Sequence, residues 1–109
     1  MSPKKIIISL SFIALAIILV SAFWKRIFLI CAFLIILAFL KHKLCPSPNE
    51  FPKYVLIGIL GPITESLIMY LGGPWYYIQP QILNFPIWLP LLWGLAGILF
   101  LTLQEGIFD

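Results

Sequence analysis

The sequence predicts an all-α fold, an integral membrane bundle of four transmembrane helices, and three observations lead there. Mean hydropathy is +1.10. Only 10% of residues are charged while 62% are hydrophobic, against about 25% charged in an ordinary soluble domain. The apolar residues also gather into four runs, separated by basic, proline-rich or aromatic segments. That leaves too little polar surface to cover a water-soluble globule of 109 residues. The length suits a single membrane domain over residues 1–109, with helices at about 6–24, 27–41, 54–72 and 87–103.

The first run, Ile6 to Phe23, has 18 residues. At 1.5 Å per residue it covers about 27 Å, close to a hydrocarbon core of about 30 Å. Lys4-Lys5, the following apolar stretch and Val20-Ser21-Ala22 also fit a cleaved signal peptide. Apolar sequence resumes directly after Lys25-Arg26, which fits a helical hairpin at least as well. The second run, Ile27 to Leu40, is only 14 residues before Lys41-His42-Lys43. It still reads as a span, because flanking Lys and Arg can snorkel and Trp24 suits the headgroup level.

Cys45 to Pro52, with three prolines and no apolar periodicity, reads as a loop. Cys31, inside an apolar run, reads as a small hydrophobe; Cys45 reads as a loop residue or a reactive or acylated thiol. Tyr54 to Gly72 forms the third run. Its Pro62 lacks an N–H donor and crowds the carbonyl of Gly58, so a helix kinked at Gly61-Pro62 is expected. Gly73 to Pro86 carries no charge but holds Trp75, Tyr76 and Tyr77 in succession. It reads as an aromatic interfacial segment or a shallow re-entrant lid between the third and fourth helices. The fourth run, Ile87 to Leu103, tolerates Pro90 in its first turn, and Gln104 to Asp109 reads as a short polar tail.

Four spans put the N-terminus, the middle loop and the C-terminus on one side, with Lys4, Lys5, Lys41, Lys43 and Lys53. The other side has Lys25 and Arg26. This bias predicts a plasma or inner membrane protein with both termini cytoplasmic. Basic residues at the edges of apolar runs exclude nucleic acid as a partner. One histidine and scattered carboxylates provide no metal site and no glycosidase pair, and no phosphate loop marks a nucleotide cofactor, so no cofactor is expected.

Glu65 is the residue that this composition does not explain. A carboxylate at bilayer depth costs about 2.5–3.5 kcal/mol on insertion scales and usually faces the protein. Gly58, Gly61, Met69 and Gly72 share its helical face, so a neighbouring backbone can approach there. Trp93, Gly94, Gly97 and Phe100 on the fourth helix form a matching surface of small and aromatic residues. No basic residue falls inside the expected spans to pair with Glu65, and apolar surroundings favour the neutral acid, which can donate a proton. Thr64 and Ser66 are placed to satisfy backbone freed by Pro62. A purely structural role, in which the acid locks helix packing, stands beside the functional ones.

From Glu65 onward, Gly72, Gly73-Pro74-Trp75, Tyr77, Pro86 and Trp93 follow in a pattern that resembles the carotenoid hydratase and lycopene-cyclase-like family of polytopic membrane proteins. The resemblance spans roughly residues 61–97 and implies an apolar, isoprenoid-like substrate with Glu65 as proton donor. Members of that family are much longer and carry acidic residues that this chain lacks. Taken together, the expected function is a small polytopic membrane protein that binds a lipid or a membrane partner through a pocket around Glu65. Gly61, Met69, Trp75, Tyr76, Tyr77 and Trp93 are its expected ligand-binding residues. An acid-catalysed enzyme with Glu65 catalytic and a proton-coupled carrier are the alternatives. Expected partners are membrane lipids, a second copy of the chain, or another membrane protein.

Overall fold

Residues 1–108 are described by a computed structural model of the chain. They form four helices, α1 (Pro3–Phe23), α2 (Ile27–Leu44), α3 (Glu50–Gly72) and α4 (Trp88–Phe108). No β-strand occurs among them, only an isolated bridge between Ile82 and Phe85. All four helices are long and apolar enough to cross a membrane. Large apolar side chains lie exposed on each of them, including Ile17, Phe28, Phe39, Leu56 and Phe100. An apolar exterior of this kind is compatible with an integral membrane location.

Each of the four helices begins or ends three to five residues outside the expected bounds. α1 starts at Pro3, whose fixed φ suits a first helical position, and the Ser2 hydroxyl accepts the Lys5 N–H at 3.4 Å. α2 runs through the basic triplet to Leu44, because cations complement the negative end of a helix. It thereby reaches 18 residues and is no longer short for a span. α3 starts at Glu50, an acid at the positive end of a helix, with Pro52 in its first turn. The expected loop contracts to residues 45–49. Most of the expected polar tail belongs to α4, where the Gly106 carbonyl accepts the Ser2 N–H at 2.7 Å.

α4 is the central strut and packs against each of the other three helices; α1 also packs on α2. α2 and α3, though joined by a short loop, do not form a packed pair. The buried side chains of α2 are Ile30, Leu34, Leu37 and Lys41, one residue per turn along a single face. Met69 of α3 and Leu89, Leu95, Ile98 and Leu99 of the central α4 continue the core. Residues Ser2, Lys5, Ser47, Glu105 and Gly106 meet at one end of the bundle, so the N-terminus, the α2–α3 connection and the end of α4 share that end.

Glycine sets the distance between α3 and α4. A Cβ on Gly94 would sit 2.9 Å from the Tyr54 carbonyl, and one on Gly61 would sit 2.2 Å from the Trp93 ring. Gly72, on the same stripe, is exposed, and its Cβ would meet nothing nearer than 3.5 Å. Phe100 is 58% exposed and does not belong to the α3–α4 surface expected of it. Gly61→Ala is therefore expected to lower stability in detergent by about 1–3 kcal/mol, the usual cost of overpacking. Gly72→Ala is expected to be neutral or slightly stabilising, since helical alanine gains up to about 1 kcal/mol over glycine. Thermal or denaturant unfolding followed by far-UV circular dichroism checks both.

Candidate functional site

Glu65 is half-buried on the α4-facing side of α3, about two turns before Gly73 closes the helix in a left-handed conformation. Its two carboxyl oxygens are held by different elements. The Tyr77 hydroxyl, from the segment between α3 and α4, donates to Oε1 at 2.9 Å. The indole N–H of Trp93 on α4 donates to Oε2. The ring of Trp93 covers Gly61, one turn before Glu65, so the missing side chain of Gly61 is what admits the indole to the carboxylate. Among the described residues Glu65 has no ionic partner, as its surroundings in the sequence suggest. Two neutral donors take that place.

The segment that brings Tyr77 here is folded back on α3. The Asn84 side chain donates to the Ser66 carbonyl at 3.1 Å, and residues 82–85 close a tight turn with Phe85 N–H on Ile82 O at 2.8 Å. Tyr77 also stacks edge-on against Trp88, with ring centroids 6.1 Å apart. Burial, and then the Glu65 carboxylate beside it, push the Tyr77 hydroxyl above the ordinary tyrosine range. It therefore remains a protonated donor throughout the neutral range.

Of the expected site residues, the fold gathers Glu65, Gly61, Tyr77 and Trp93 in direct contact, with Met69 buried one turn beyond Glu65. Trp75 and Tyr76 stand apart: they lie exposed, Tyr76 by 84%, and neither hydrogen-bonds the carboxylate. The Thr64 hydroxyl bonds the Leu60 carbonyl at 2.7 Å, not the Gly58 carbonyl that Pro62 leaves without a donor. No family model, curated protein or solved structure matches this chain. The reading of the site rests on these residues.

A second polar centre lies at the opposite end of α3 and was not legible as one. Lys41 is fully buried and its ammonium donates to Oε2 of Glu50, itself 5% exposed. His42 Nδ1 lies 3.1 Å from Oε1, and the Ser47 N–H donates to Oε2 at 3.0 Å. The absence of basic residues from the spans is thus overturned, since α2 carries Lys41, His42 and Lys43. From Ser47 the network continues to Thr102 at 3.1 Å and Glu105 at 3.2 Å, and Glu105 reaches Lys5 at 3.5 Å. Cys45 is buried beside this network, which removes the reactive or acylated loop thiol. The signal for Lys41 was its register: it continues the Ile30, Leu34, Leu37 stripe by four residues.

Trp93→Phe keeps the ring over Gly61 but leaves one carboxyl oxygen without its donor. It is expected to cost about 1–3 kcal/mol. The Tyr77 bond adds a pH dependence. Its hydroxyl binds the proton more tightly in the folded chain, so its contribution is full below pH of about 10, where a free tyrosine ionises, and is lost as the pH rises through the higher folded value. Unfolding midpoints between pH 8 and pH 11 check this, with Tyr77→Phe expected to flatten that part of the profile.

Proposed function

We propose that this chain is a small polytopic membrane protein that binds a membrane lipid at Glu65, with both termini on the cytoplasmic side. The observation that carries the reading is a half-buried carboxylate fixed in orientation by Tyr77 and Trp93, the one charged group between Tyr54 and Gly72 of α3. A carboxylate has about four lone-pair positions, and two are taken by these donors. The remaining ones suit a lipid that offers an O–H or N–H donor near the headgroup level. Fixing the acceptor in advance lowers the ordering cost of binding.

In this reading the exposed Trp75 and Tyr76 sit in the membrane interface and hold the segment between α3 and α4 over the site. Pro62 bends α3 just before it, since the Gly58 carbonyl has no helical N–H to accept. The basic end of the bundle, with Lys4, Lys5, Lys41, Lys43 and Lys53, faces the cytoplasm. Acid catalysis on an isoprenoid-like substrate is less favoured, because both carboxyl oxygens already face donors of the chain itself. A proton-coupled carrier is less favoured too, because no hydrogen bond among the described residues links Glu65 to the Lys41–Glu50 centre.

The experiment compares lipids that co-purify with the wild type, Glu65→Gln and Tyr77→Phe, by mass spectrometry after mild detergent extraction. Loss of a hydrogen bond to a charged group is worth about 1.5–3 kcal/mol, or roughly tenfold or more in affinity. Glu65→Gln is expected to lose the bound lipid to that extent, and Tyr77→Phe, which keeps the carboxylate but removes one of the two donors that orient it, to weaken binding less. Loss in both variants in proportion to their stability would instead assign Glu65 to helix packing alone.

A further inference from the structure

The two carboxylates of α3 are neutralised to different degrees. Glu50 is paired with Lys41. Glu65 receives the Tyr77 hydroxyl on Oε1 at 2.9 Å and the Trp93 indole N–H on Oε2, and both donors are neutral. One donor on each oxygen suits a carboxylate, which accepts at both oxygens and donates at neither. The basic side chains of the chain are placed elsewhere. Lys5 pairs with Glu105 and Lys41 with Glu50 at the opposite end of the bundle. Lys25 and Arg26 lie on the turn between α1 and α2, where the Lys25 ammonium sits over the Trp24 ring, 5.2 Å from its centroid. None of them pairs with Glu65. A charge inside a bilayer calls for an opposite charge, and the described residues bring none to this one.

We propose, on the reading of Glu65 as a lipid site, that the lipid held there carries a protonated primary amine, as an ethanolamine headgroup does. Charge makes the first selection. An ammonium supplies the missing counter-charge, whereas a headgroup with net negative charge adds a like charge beside the carboxylate. Donor count makes the second. Tyr77 and Trp93 take two of about four lone-pair positions, and a primary ammonium has three N–H groups with which to fill the others. A quaternary ammonium carries the same charge but has no N–H to donate. A neutral hydroxyl lipid has a donor but no charge, and hydrogen bonds to ionised groups are about twice as strong when charge assists them. Glu65 is only half-buried, so the group is reachable from outside the bundle.

The test is native mass spectrometry of the detergent-solubilised protein with four probes. Three share their acyl chains: dioleoyl phosphatidylethanolamine, dioleoyl phosphatidylcholine and dioleoylglycerol. The fourth, glycerophosphoethanolamine, has the headgroup without the chains. Phosphatidylethanolamine is expected to bind the wild type about tenfold or more tightly than either phosphatidylcholine or dioleoylglycerol, the equivalent of one charge-assisted hydrogen bond. Glycerophosphoethanolamine is expected not to bind measurably. In Glu65→Gln, which keeps the shape and removes the charge, the preference for phosphatidylethanolamine is expected to vanish. Equal binding of phosphatidylethanolamine and phosphatidylcholine by the wild type would overturn the proposal, and this comparison needs no variant to fold. Tight binding of glycerophosphoethanolamine would overturn it too, by assigning the site to a soluble amine. Dioleoylglycerol bound as tightly as phosphatidylethanolamine, with both lost in Glu65→Gln, would remove the amine and leave a lipid site at Glu65. Identical binding of all three lipids by the wild type and Glu65→Gln would remove the lipid site as well.

Discussion

The arrangement of this bundle depends on one buried ion pair. Lys41 has no exposure to its surroundings, and its ammonium is met by Glu50. An ammonium group isolated in apolar surroundings costs many kcal/mol, so it survives there only with a partner and well-made hydrogen bonds. Glu50 supplies the partner, and the Ser47 N–H and His42 satisfy the rest of the carboxylate. Each charge also sits where its own helix favours it, Lys41 in the last turn of α2 and Glu50 in the first turn of α3. The pair fixes the direction in which α3 leaves α2. Through Ser47, Thr102, Glu105 and Lys5 it ties the same end of the bundle to α4 and α1.

The opposite end is fastened by different chemistry. Glu50, Tyr54, Gly58, Gly61, Glu65 and Met69 follow one another at three- and four-residue spacing, so both carboxylates of α3 lie on one stripe. At Glu50 the stripe meets a cation; at Glu65 it meets a phenol and an indole. Between them, glycines on both helices let the backbones of α3 and α4 approach, in the manner of helix pairs where apolar burial alone provides no driving force. A central α4 that serves all three neighbours leaves α2 and α3 apart, and the cleft between them is a consequence of that division.

Much of this was legible from composition and register. Four apolar runs define the four helices, and the i−4 and i−7 relation of Gly61 and Gly58 to Glu65 identifies the face that packs on α4. Trp93 was visible as an aromatic among small residues. What was not legible depended on hydropathy being read as a boundary. Lys41, His42 and Lys43 lower the local average, and a helix end was placed there, although Lys41 continues a buried stripe. Glu50 looked like loop composition among prolines, yet proline in the first turn and an acid at the helix start are both favourable. The contact between Tyr77 and Glu65 depends on how residues 73–87 fold back, held by Asn84 on a backbone carbonyl, and no periodicity encodes such a turn.

The most direct test of this account is a double-mutant cycle on the ion pair, Lys41→Met, Glu50→Met and both together, with unfolding followed in detergent micelles. Removing either partner alone leaves a buried charge and is predicted to cost about 3–5 kcal/mol, while the double variant recovers most of that loss. Single substitutions that cost less than about 1 kcal/mol, or a double variant whose loss is the sum of the two, would contradict the claim that this pair organises the bundle.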